Sequence, residues 1–133
     1  MAIVNASEKI QTMIFYKLLD VVPDLLSIEE AGKSKRAGYM DLGFDVLYRS
    51  PEKLVIALSH YYRHPSGDMI PDPDMEIAVF IKQEYAEALS FQDAFGYQSV
   101  GSDESCHCNS RQRGMNRFLS EWLSNLIIQG HRV

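Results

Sequence analysis

Met40-Asp41-Leu42-Gly43-Phe44-Asp45-Val46-Leu47-Tyr48-Arg49 alternates apolar and polar residues with a period of two. Met40, Leu42, Phe44, Val46 and Tyr48 fall on one face of an extended chain. Asp41, Gly43, Asp45 and Arg49 fall on the other, with Leu47 an apolar intruder. Successive side chains of a strand point to opposite faces, so the pattern predicts a half-buried β-strand. Ser50-Pro51-Glu52 interrupts it, because proline fixes its own φ and has no N–H for the ladder. Lys53 to Arg63 then resumes the alternation. Leu54, Ile56, Leu58, His60 and Tyr62 share one face; Val55, Ala57, Ser59, Tyr61 and Arg63 share the other. Both faces are apolar at the start of this run, which predicts a central strand with neighbours on both sides.

Downstream, His64-Pro65-Ser66-Gly67-Asp68 has the composition of a turn, and Pro71-Asp72-Pro73-Asp74 that of a stiff extended segment. A third strand is predicted from Met75 to Lys82, with Met75, Ile77, Val79 and Ile81 on one face. Gln83-Glu84 reads as a tight connection to a fourth strand, Tyr85 to Phe91, and Gly96 to Val100 has room for a short fifth.

Helices flank this meander. Asn5 to Glu8 fits a capping box, and Ile10, Met13, Ile14, Leu18, Val21 and Val22 recur at helical spacing, with Lys9, Gln11 and Lys17 off the stripe. Pro23 ends the helix or opens a short second one. Residues 27–38 are polar and contain Gly32, Lys33, Lys35, Arg36 and Gly38, the composition of a flexible loop. At the other end Met115, Phe118, Leu119, Trp122, Leu123, Leu126 and Ile127 form a continuous apolar stripe. Asn109 or Ser110 can cap its start, and Gly130 sits where a left-handed residue closes a helix. The expected fold is α+β: an antiparallel meander of four or five strands, covered on one face by the N-terminal and C-terminal helices.

The chain of 133 residues reads as one domain, with flexible loops over 27–38 and 101–109. No apolar run reaches the roughly 20 residues of a membrane span, and Met1-Ala2-Ile3-Val4 lacks the features of a signal peptide. Cys106 and Cys108 are one residue apart, a poor geometry for a mutual disulfide, so a reduced, cytoplasmic protein is expected. The net charge of −5 argues against nucleic acid as a partner. No Walker A loop, dinucleotide fingerprint, nucleophile elbow or zincin helix is present, and no cofactor is expected.

Asn116-Arg117-Phe118-Leu119-Ser120-Glu121-Trp122-Leu123, followed by Gly130-His131, resembles the closing helix of the YqiB-like family. These are small bacterial proteins of unknown function, with relatives on plasmids, phage and other mobile elements. Gly43-Phe44-Asp45, Pro71-Asp72-Pro73-Asp74-Met75-Glu76 and Glu87-Ala88-Leu89-Ser90-Phe91-Gln92 resemble its mobile-element branch. The resemblance runs from Gly38 to His131 and rests on structural motifs. It implies a fold and carries no catalytic assignment. Residues 101–109, with both cysteines, depart from the family pattern.

Four groups of residues have chemistry to offer. Cys106-His107-Cys108, with His131, has zinc-ligand types, but the one-residue spacing and the lack of a second pair favour a plain loop, and no metal is expected. His60, Tyr61, Tyr62 and His64 form a second group: His60, Tyr62 and His64 share a face, and with Asp68, Asp72 or Asp74 across the turn they would make a histidine–carboxylate site if they converged; the alternative is an aromatic strand end. Asp68, Asp72, Asp74 and Glu76 do not match a calcium loop and read as a solvated turn, a docking surface for a basic protein partner or an imitation of nucleic-acid charge. Arg111, Arg113 and Arg117 stand at a helix N-terminus, where the dipole disfavours cations, so they either pair with Asp103, Glu104 or Glu121 or hold an anion, a phosphate or an acidic partner segment. The function expected is a non-enzymatic protein-binding or regulatory module of a bacterium or mobile element, one form being an inhibitor of host defence machinery. The competing expectation is a small enzyme or ligand-binding protein with a pocket between sheet and helices near His60, Tyr62 and His64.

Overall fold

The structure, a computed structural model, describes residues 6–100 and 110–133. In chain order these form α1 (Ala6–Val21), β1 (Gly32–Ser34), β2 (Leu42–Arg49), β3 (Lys53–Arg63), β4 (Met69–Phe80), β5 (Tyr85–Asp93), β6 (Gly96–Ser99) and α2 (Ser110–Gln129). The strands pair antiparallel in sequence order from β1 to β6, so the sheet is a six-stranded meander rather than one of four or five. The extra strand is β1, inside the segment read as a loop. Three residues carry too little pattern to announce a strand. β4 starts six residues before its expected Met75 and runs through both prolines. Pro73 stands where the pairing of β3 with β4 slips, between Ser59↔Asp74 and Tyr61↔Pro71, and there no ladder N–H is required of it.

Two further slips redirect side chains. Val46 pairs with Ile56 but Tyr48 pairs with Val55, so Leu47 is an extra residue in β2. A bulge of one residue exchanges the faces of everything after it. Tyr48, expected beside Phe44 and Val46, therefore turns outward, and Arg49 turns inward beside Leu54. The Arg49 guanidinium donates to the carbonyls of Leu25, Leu26 and Ile28, closing the turn after α1. Likewise Glu76 pairs with Ser90 but Ile77 with Ala88, leaving Leu89 extra in β5. Phe91 is thereby set opposite Met75, and its ring meets Phe118 edge-on at 5.1 Å.

Both helices pack on one face. The core joins Leu42, Phe44, Leu54, Ile56, Leu58, Met75, Ile77 and Val79 of the sheet to Ile14, Phe15, Leu18 and Val22 of the first helical segment. Met115, Leu119, Trp122, Leu123 and Leu126 of α2 complete it. The α1 stripe is rotated from the expected one: Gln11 and Phe15 are buried, and Met13 is 41% exposed. On α2 the expected stripe holds, with Phe118 and Ile127 at its margins. Gly130 closes α2 at φ 88°. Its N–H bonds the Ile127 carbonyl and the His131 N–H bonds the Leu126 carbonyl, each at 3.0 Å. The capping roles expected of Asn5 and Asn109 lie outside the described residues.

α2 also guards a sheet edge. β6 pairs only with residues 90–93 of β5, so the earlier half of β5 has no strand beyond it. There Asn116 Oδ1 accepts the Ala88 N–H at 2.7 Å, and Gln112 Nε2 donates to the Ala88 carbonyl at 3.2 Å. Two side chains one helical turn apart thus supply what a neighbouring strand would.

Candidate functional site

Among the described residues no element covers the sheet face opposite the helices. The register defines its rows. Tyr48, Val55, Ala78 and Glu87 form one; Asp45, Ala57, Glu76, Ser90 and Ser99 the next; Lys33, Gly43, Ser59, Asp74, Gln92 and Tyr97 the third. Tyr61 follows beside Asp74, and its hydroxyl donates to Asp74 Oδ2 at 2.5 Å. That bond to a carboxylate, with partial burial and the charges of Asp74 and Asp45, pushes the Tyr61 pKa up to about 12, so the phenol stays neutral. Tyr48, Tyr61 and Tyr97 are 54%, 38% and 61% exposed. At the adjoining hairpin tip Phe95 is 97% exposed, on a turn held by Asp93 Oδ1, which accepts the N–H groups of Phe95 and Gly96.

His60 does not join Tyr62 and His64. It is buried on the helix side of β3, its Nδ1 2.8 Å from the Asp41 carbonyl oxygen. The rings of Trp122 and His131 lie 5.4 Å and 5.9 Å from it and occupy the space above. Tyr62 is exposed, and His64 sits in the turn, where its Nδ1 accepts the Ser66 N–H. Asp72 is exposed and Asp74 is turned to Tyr61. The histidine pair His60–His131 was not foreseen; its residues are 71 positions apart, and only the return of the tail along β1 unites them. His131 Nδ1 lies 2.9 Å from Ser34 Oγ, which also accepts the Arg132 N–H at 3.0 Å. Among the described residues no group of three or more histidine, cysteine, aspartate or glutamate side chains is gathered as a metal site. Cys106, His107 and Cys108 lie outside them.

The three arginines separate. Arg111 donates to the Ser99 carbonyl at 3.1 Å and lines a concavity of about 330 Å³ with Phe91, Gln98, Ser110, Gly114, Met115 and Phe118. Arg113 and Arg117 are exposed on the outer side of α2. Of their expected partners, Asp103 and Glu104 are outside the described residues, and Glu121 is exposed on α2. No helix among the described residues is long and apolar enough to cross a membrane.

No curated protein and no solved structure matches this chain. A family model does, over residues 13–132, from within α1 to the tail beside Ser34. That span takes in the whole sheet and all three register slips, and the chain belongs to the family described as Domain of unknown function (DUF6908).

Proposed function

We propose that this protein is a non-enzymatic, cytoplasmic protein-binding module that docks through the open face of its sheet. The observation that carries the reading is the set of exposed aromatics there, Tyr48, Tyr61 and Tyr97, with Phe95 at the hairpin tip beside them. Aromatic side chains bury much area at little entropic cost and dominate the energetics of protein interfaces. A bacterial regulatory role, on a mobile element and against host defence machinery, is the specific form we favour; the resemblance to the mobile-element branch of the YqiB-like family supports it. Affinity capture from the bacterial host tests the reading. A stoichiometric protein partner retained by the wild type and lost by Tyr48→Ser with Tyr97→Ser is expected. A partner retained by that variant but lost by Arg113→Glu with Arg117→Glu would move the interface to α2.

A second reading, a small ligand-binding protein, keeps one supporting feature in the concavity at Arg111. Its apolar lining and one guanidinium suit a small amphipathic anion. Arg111→Met should then abolish binding of such a ligand in a small-molecule screen.

A further inference from the structure

We infer that the open sheet face receives a cationic protein segment, an extended stretch bearing arginine or lysine; this rests on the protein-binding reading above and names the partner's chemistry. The floor of the face is low, made of Gly43, Ala57, Ser59, Ala78 and Ser90. Carboxylates rise from it. Asp45 and Glu76 share a row two strands apart, about 10 Å, and Asp74 stands one row along β4 from Glu76, about 7 Å away. Aromatic rings wall the ends: Tyr48 on one side, Tyr61 and Tyr97 on the other. The cations of this face stand at its margins: Lys33 is paired with Asp41 at 3.5 Å, Lys53 lies over the Phe80 ring at 5.6 Å, and Arg63 ends β3. Three carboxylates spaced at residue-to-residue distances, flanked by ring faces, match guanidinium or ammonium heads whose stems cross the small residues. The same charges repel phosphate, which sets nucleic acid and anionic membranes aside.

The probe is a capped peptide, Arg-Gly-Ser repeated three times, titrated into the ¹⁵N-labelled full chain; a Glu-Gly-Ser counterpart and a short DNA duplex serve as controls. The expected result is a shift of amide signals in β2 to β5 around Asp45, Ala57, Asp74 and Glu76 with the arginine peptide alone. Changing Asp45→Asn, Asp74→Asn and Glu76→Gln together should weaken that binding about tenfold, since each partly exposed pair contributes modestly. Asp45→Asn alone, at an exposed position, should weaken it in the same direction if the triple variant does not fold. Unchanged binding by the variants overturns the inference. So do shifts confined to α2, equal binding of the glutamate peptide or the duplex, and face signals that move through self-association without peptide. A captured host partner whose contact surface is acidic or apolar would also overturn it, while leaving the protein-binding reading in place.

Discussion

His131 is the residue on which the tail turns, and it is 2% exposed. Its Nε2 is buried with no partner in hydrogen-bond geometry, although the Met40 backbone lies near enough to favour a proton there. Burial, then the neighbouring His60, lower its pKa below the usual 6.5; Arg36 acts in the same direction, and the Met40 carbonyl and Asp41 act against it. The elements packed around it otherwise present Ser34, Trp122 and Val21, none of which titrates in this range. A group that ionises less readily folded than unfolded makes the unfolded chain bind the proton first. The contribution of His131 to stability is therefore flat above about pH 7.5 and falls as pH drops through the unfolded value near 6.5, with a slope of at most about 1.4 kcal/mol per pH unit. Urea unfolding at pH 7.5, 6.5 and 5.5 should show this, and His131→Gln should lose most of the slope. An identical slope in the variant would assign the effect to other groups. In the sequence His131 is legible as a candidate zinc ligand beside the cysteines and as a residue after a helix stop, and neither reading points to Ser34 or His60. The bonds of Tyr61 and Asn116 are hidden for the same reason: each is made to a partner on another element, Asp74 and the Ala88 backbone, that local pattern does not reveal.

The strands were legible because alternation is a local signal, and their faces were misread where one extra residue exchanged them. Leu47 was visible as the intruder in an otherwise regular run, yet a lone apolar residue does not distinguish a bulge from an exposed leucine. Its consequence is Arg49. Once turned inward, this guanidinium supplies three carbonyls that the end of the α1 segment leaves open, while its Nε remains buried and unpaired. Arg49→Ala should cost about 1.5–3 kcal/mol, the scale of hydrogen bonds made by a charged donor. Arg49→Lys should recover only part, because an ammonium cannot span the three acceptors as a planar fork does. Full recovery by lysine, measured in denaturant, would mean that charge alone matters at the turn. Trp122 is the matching case on α2. Its ring is 7% exposed between His60 and Phe118, and its role was legible from the apolar stripe. Trp122→Ala should cost about 3–5 kcal/mol. Melting near that of the wild type would show that α2 does not depend on this contact.

At the scale of the whole molecule, the two ends of the sheet are held by different means. β6 and the bare half of β5 are closed by α2, through Arg111, Gln112 and Asn116. β1 is closed by the tail: Ser34 bonds His131 and Arg132, and the Val133 N–H bonds the Val21 carbonyl at 2.8 Å. A Cβ on Gly32 would come within 2.5 Å of the Val133 side chain, so the strand needs glycine where the tail crosses it. β1 pairs through only three residues, whereas β3 and β4 run 11 and 12 residues in the middle of the sheet. Local opening follows such differences in buried contact, and amides at weak edges exchange without global unfolding. Removing residues 131–133 should therefore release β1 first. Hydrogen exchange at the β1–β2 pairing of Lys33 and Gly43 should accelerate by at least about tenfold, while Ile56, Leu58 and Ile77 keep protection within about 1 kcal/mol of the full chain. If the amides of β3 and β4 lose protection in parallel with those of β1, the tail belongs to the cooperative core. The sheet's first edge would then stand or fall with its centre, and β1 would be part of the fold's nucleus rather than a strap laid against it.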